Sequence, residues 1–273
     1  MAEAGPQQLP AAQSVHHELR NAENSAAFLL DHLSERRNDS LRILDAGAGS
    51  GTITVSFAKA FPNAQVTGVD IRSDILPRAR AVAETAGVKN IEFQQADLFK
   101  LPFDDASFDV TFCHQVLTHV KAPEAALREM LRVTKDEGTC VVAVREGDYD
   151  TEAIWPNLSG LVKFHGLAAS VMEGGGGTTT AGRQLVSWAL NAGVNRSQIT
   201  ASFSSWSYHT PTDKQIWAQG LITHIKRGPM HERGIGAGWT ADDLDDMATA
   251  WEDWAAREDS SLSMLHGEII VKK

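Results

Sequence analysis

Two cysteines in 273 residues exclude a disulfide-stapled scaffold. Both, Cys113 and Cys140, sit in apolar strand-like runs, as reduced and packed thiols do. No apolar run approaches the roughly 20 residues that a bilayer span needs, and the first residues lack the charged-then-apolar order of a signal peptide. A cytoplasmic location without a membrane partner is the expectation. Basic charge is also short: 25 Lys and Arg face 35 Asp and Glu, a formal net charge of −10. Phosphate backbones are bound through Lys and Arg, so nucleic acid is not an expected partner. Much of the acid falls at Asp242, Asp243, Asp245, Asp246, Glu252 and Asp253, which reads as a solvated helix face. No internal repeat is present.

What the chain does have is alternation. Residues 1–13 read as a leader and 14–34 as a helix, with Leu19, Ala22, Ala26, Leu29, Leu30 and Leu33 near helical spacing. Apolar strand-like runs at 41–45, 64–70, 91–95, 108–114 and 139–145 are separated by helical patterns at 52–60, 74–86 and 123–133. Continuous apolar strands are those of a parallel sheet covered on both faces. The expected fold is α/β: a doubly wound, mostly parallel, seven-stranded sheet with a helical cap.

Beyond residue 145 the alternation stops. A helix-like stretch at 158–172 leads to a Gly-rich loop at 174–177, read as a flexible connection with a lid as the alternative. A helix at 184–192, a strand at 197–208 and a helix at 212–226 follow. Thr240 with Asp243 can cap a helix reaching about residue 257, and the last strand is 262–271. The expected units are therefore 1–40 (leader and closing helix), 41–145 (nucleotide-binding core) and 146–273 (cap helices plus the last two strands).

The sharpest signal is Ile43-Leu44-Asp45-Ala46-Gly47-Ala48-Gly49-Ser50-Gly51, a strand that breaks into three glycines before a helix. Small residues there let the chain turn tightly and a ligand lie against bare N–H groups. A dinucleotide site is the competing reading, but where that fingerprint wants its third small residue stands Thr52. Asp70 ends the second strand about 20 residues on, the distance at which an acid reaches ribose hydroxyls. Asp97, followed by Leu98, ends the third strand and can accept from an adenine amino group. Glycines and carboxylates together point to adenosine.

With these motifs the chain resembles class I methyltransferases dependent on S-adenosylmethionine (SAM), in particular the ubiquinone/menaquinone-biosynthesis type. The resemblance extends through Cys113-His114-Gln115-Val116-Leu117-Thr118-His119-Val120 and through Ala125, Leu127, Arg128, Glu129 and Met130. Gly182-Arg183-Gln184-Leu185, Trp206, Tyr208 and Trp217 are similar to a capped subset that includes fungal enzymes of secondary metabolism such as gliotoxin thiomethyltransferase. The resemblance implies that Gly47, Gly49 and Gly51 serve the methionine part of SAM, Asp70 and Ile71 the ribose, and Asp97 and Leu98 the adenine, with Asp45 also among the cofactor-binding residues. It places His114 at the methyl group and Arg20, with Asn24, on a helix that closes over SAM. Where the family often shows Asp-x-Asp-Tyr, this chain has Glu146-Gly147-Asp148-Tyr149.

Methyl transfer is an in-line displacement, so positioning dominates and a base matters only for a protonated acceptor. His114 is the candidate base; His119 reads as packing. A metal at His114 and His119 is not expected, because no third ligand stands at a familiar spacing. Tyr149, Trp155, Arg183 and Trp206 are the candidate acceptor contacts, joined by Phe164, His165, Trp217 and Trp251 as aromatic surface. The expected activity is methylation of a small molecule, with S-adenosylhomocysteine as product. A dithiol metabolite leads and the oxygen or carbon of a phenol or quinone follows. A SAM-binding protein catalysing a non-methylating cyclisation and a regulatory binding protein are the competing classes.

Overall fold

The computed structural model describes residues 18–273. The predicted leader and the start of the predicted 14–34 helix lie outside them. The rest of that helix is interrupted. Asn21 caps a short helix α1 (Ala22–Ser25) in a reciprocal capping box with Asn24. Ala26 then leaves helical geometry at φ −143°, ψ 24° before α2 (Ala27–His32) begins. Arg20 thus precedes the helix rather than riding on it. Asn24 spends its amide on the cap and on the Leu19 carbonyl.

Seven strands form one sheet in the order β3-β2-β1-β4-β5-β7-β6. They are β1 (Arg42–Ala46), β2 (Gln65–Asp70), β3 (Ile91–Gln95), β4 (Val110–His114), β5 (Val141–Trp155), β6 (Ile199–Tyr208) and β7 (Ser261–Lys272). The first five are mutually parallel, and β7 runs antiparallel between β5 and β6. Helices α3 (Thr52–Ala60), α4 (Leu76–Ala86), α5 (Pro123–Val133) and α7 (Ala181–Asn191) cover its faces. Phe112 and Ala143 pack with Leu29 and Phe57 on one face, while their chain neighbours Cys113, Val142 and Val144 pack with Leu127, Met130 and Leu185 on the other. Both pleats of β4 and β5 are buried, which is why these strands read as unbroken apolar runs.

β5 continues ten residues past the predicted end at 145. Its extension pairs with β7 through Asp148↔Leu265, bulges, and resumes at Ala153↔Ser263. Arg145, Glu146 and Asp148 are all buried within it. Three charged residues inside a strand erase the apolar signal, so the sequence pattern breaks where the structure does not. The cap is a helical layer of α6 (Ser159–Gly174), α8 (Pro211–Lys226), α9 (Pro229–Gly236) and α10 (Ala241–Ala256). The Thr240–Asp243 capping box starts α10 as expected. Phe164, Trp217 and Trp251 belong to this layer's core.

Candidate functional site

The carboxyl ends of β1, β2, β3 and β4 open on a cavity of about 530 Å³. β1 runs into the glycine turn and α3 departs from it. At Gly47, φ is +92° and a Cβ would meet Val116 Cγ2 at 2.2 Å, so both conformation and space demand glycine. The Gly49 N–H donates to Asp70 Oδ2 at 2.9 Å, and nothing stands within 4 Å of the place its Cβ would take. Asp70 Oδ1 accepts from the Arg72 N–H at 2.9 Å. Each carboxylate oxygen keeps a lone pair for a further donor. Asp97 Oδ1 holds the Phe99 N–H, and Leu98 lies beside it on the wall. Ile71 and Phe99, 64% and 43% exposed, offer apolar surface at the same end.

At the opposite end stand His114, Gln115, His119 and Arg20. Gln115 adopts φ +56°, which turns the chain sharply after β4. Its amide is fixed between the Gly147 N–H and His266 Nε2. The carboxylate of Glu146 accepts the backbone N–H groups of Val116 and Leu117 on Oε1 and of Thr118 on Oε2. Burial pushes Glu146 up to about 7, against the pull of those N–H donors. The loop at 174–177 is docked on this same turn: the Thr178 N–H donates to the Thr118 carbonyl, and the Thr118 hydroxyl donates back to the Thr178 carbonyl.

His114, Arg145 and Glu268 are register partners across β4, β5 and β7 and so share one sheet face. Arg145 Nη1 lies 3.0 Å from His114 Nε2. A guanidinium only donates, so Nε2 accepts. Arg145 Nε lies 3.2 Å from Glu268 Oε1, which also accepts from the Ser204 hydroxyl, while Ser202 donates to Oε2. Burial pushes Arg145 down to about 10 although Glu268 opposes the shift. Burial likewise pushes His266 down to about 3 and lowers His119, each with help from Arg20. The Trp206 ring stacks with His114 at 6.4 Å and with Tyr208 at 6.1 Å, continuing the wall away from the cavity.

The structure therefore brings Arg20, Gly47, Gly49, Asp70, Ile71, Asp97, Leu98 and His114 to one cavity. Asp45 and Gly51 are not on its wall. Asp45 is buried below the turn, accepts the Thr54 hydroxyl at 2.6 Å, and is pushed up to about 7 by burial. Gly51 faces Phe93 and Ala79, where a Cβ would clash at 2.8 and 2.9 Å. Of the acceptor candidates, Tyr149 and Trp206 lie within reach of the Arg20 charge or ring face. Trp155 is 60% exposed at the far end of β5, and Arg183 clamps the buried Asp148 carboxylate, with Nε 2.6 Å from Oδ2. Sequence reasoning missed Phe99, Gln115, Arg145 and Glu268. Phe99 alone had a local signal, an aromatic next to Asp97-Leu98.

Residues 37–159 match the model of the methyltransferase domain family. A protein described as an uncharacterized methyltransferase in Schizosaccharomyces pombe is 30% identical, over 94% of this chain and 92% of its own length. Among solved structures, the chain is similar to the [4+2]-cyclase SpnF, with TM-score 0.52 and 20% identity over 91% of this chain and 82% of that one. It is equally similar to a phosphoethanolamine N-methyltransferase of Haemonchus contortus bound to S-adenosylhomocysteine, with TM-score 0.52 and 18% identity over 89% of this chain and 52% of that one. These two likenesses carry the fold, and the near full-length relative carries the family: the chain belongs to the SAM-dependent methyltransferases of the seven-stranded doubly wound fold.

Proposed function

We propose that this methyltransferase acts on a small molecule, with SAM held along the cavity from the glycine turn to Phe99. The observation that carries this reading is the Gly49 N–H meeting the Asp70 carboxylate at 2.9 Å where β1 and β2 end on the cavity. The residues present fit adenosine and its methionine arm. Gly47 and Gly49 leave bare backbone for the methionine, Asp70 has lone pairs for the ribose hydroxyls, and Asp97 with Leu98, Ile71 and Phe99 supplies an acceptor and apolar walls for adenine. Bound there, SAM supplies an electrophilic methyl group on a sulfonium. What the chain contributes is alignment, the route to most of the rate in an in-line displacement.

The acceptor side favours a nucleophile that needs little help losing its proton. His114 Nε2 already accepts from Arg145, so the imidazole is engaged as a positioning group. A thiol, with an ordinary pKa of about 8.5, is partly thiolate near neutrality, whereas a phenol near 10 is not. A thiol on a secondary metabolite of the gliotoxin type is therefore the proposed acceptor, with the oxygen or carbon of a phenol or quinone second. Two free, buried thiols fit a reducing compartment, and a cytoplasmic setting is part of the proposal. Among the described residues no helix is long and apolar enough to cross a membrane.

The test is incubation with labelled SAM, a reduced epidithio metabolite and matched phenols, followed by mass spectrometry. Label on sulfur supports the whole reading. Label on oxygen or carbon alone overturns the sulfur preference and leaves methyl transfer standing.

A further inference from the structure

Two guanidinium groups share one indole. Arg20 Cζ lies 5.6 Å and Arg145 Cζ 5.4 Å from the Trp206 ring centroid, within the range of cation–π attraction. Their surroundings differ. Arg145 is 2% exposed and is held by His114, Glu268 and Ser204. Arg20 has no ion pair among the described residues, and its buried Nε has no hydrogen-bond partner among them. A shielded donor without an acceptor is costly, more so on a cation.

Two described carboxylates that bear on this pair are already engaged by other donors. The charge of Glu146 reaches Arg20, but its oxygens accept three backbone N–H groups. Glu268 is taken by Arg145, Ser202 and Ser204. Arg20 also bears electrostatically on Arg145, so two like charges are held near one another. In a chain of net charge −10, this is a local positive pocket at the cavity end where His114 and His119 stand. The groups that feel Arg20 include Tyr208, Tyr149, Glu146, His119, Arg145 and His266, and the ring beneath it is Trp206.

We infer that the acceptor binds as an anion, as a planar molecule whose acidic group pairs with Arg20 beside Arg145 and Trp206. This rests on the methyl-transfer reading and assigns Arg20 to the acceptor rather than to SAM. A thiolate, an acidic phenolate or a ring carboxylate shares the required chemistry: one negative charge for Arg20. An anion there relieves the repulsion between the two guanidiniums and gives the shielded Nε an acceptor. For a thiolate or phenolate acceptor it also explains a cavity in which the imidazole lone pair is already spent, because the reacting atom then arrives without the proton a base would remove.

The test is calorimetry on the protein saturated with S-adenosylhomocysteine, titrated with 2-naphthoate and with its neutral isostere 2-naphthamide. The wild type is expected to prefer naphthoate by about tenfold or more, the scale of one charge-assisted hydrogen bond. Arg20→Gln should equalise the two probes with S-adenosylhomocysteine affinity retained, and Arg20→Lys should restore part of the preference. Equal binding of both probes to the wild type overturns the inference. So does an Arg20→Gln variant that loses S-adenosylhomocysteine affinity while keeping the naphthoate preference, since Arg20 would then serve SAM. Failure of the wild type to bind S-adenosylhomocysteine would remove the underlying methyltransferase reading, and the inference with it.

Discussion

Arg145 donates from Nη1 to His114 Nε2 over 3.0 Å, at facing positions of two parallel strands. The arrangement makes the imidazole an acceptor within a chain that ends on Glu268 and two serines. His114→Ala should then lower turnover of a thiol acceptor by well under the 10²–10⁴-fold typical of losing a general base. Steady-state rates of both proteins across pH 6–9 check this. A loss in that range, with disappearance of an acidic limb near neutrality, would restore His114 as the base.

Glu146 should matter for folding more than its place beside the cavity suggests. In Glu146→Gln the amide oxygen can still accept from Val116 and Leu117, but the amide nitrogen would face the Thr118 N–H, donor against donor. A buried group left so costs about 1–3 kcal/mol. Thermal unfolding should show a clear drop in Tm, and an unchanged Tm would mean that the turn after β4 does not depend on this carboxylate.

Asp45 predicts a pH dependence with a definite sign. Burial pushes it up to about 7 in the folded protein, while the unfolded chain releases this proton near the ordinary aspartate value of about 3.9. Between those values the folded state binds more protons, so this contribution is full below the lower value, falls as pH rises, and is gone above about 7. Asp45→Asn keeps an oxygen for the Thr54 hydroxyl and removes the titration. Its Tm should fall less than that of the wild type from pH 5 to pH 8. Parallel curves would contradict the assignment.

Local signals in the sequence reached as far as backbone geometry and strand ends. The glycine turn, Asp70 and Asp97 were legible because each is tied to a strand end by short-range rules: a tight turn needs small residues, and ligands meet parallel sheets at carboxyl ends. The Thr240 cap was legible for the same reason. β5 beyond residue 145 was not, because Arg145, Glu146 and Asp148 are satisfied by Glu268, by the 116–118 N–H groups and by Arg183, partners distant in sequence. Trp155 and Arg183, picked by residue type, are not on the cavity wall: Trp155 ends β5 and is 60% exposed, and Arg183 on α7 holds the Asp148 carboxylate. Asp45 and Gly51 belong to the glycine motif, yet they hold the turn from behind rather than lining the cavity.

The most direct measurement is calorimetry of SAM binding to the wild type and to Asp70→Ala. If the cavity between Gly49 and Phe99 holds SAM, losing the carboxylate should weaken binding by about 1.5–3 kcal/mol, the scale of a hydrogen bond involving a charged group. Circular dichroism should show the fold retained. Unchanged affinity in a folded Asp70→Ala protein would contradict the placement of SAM at the glycine turn.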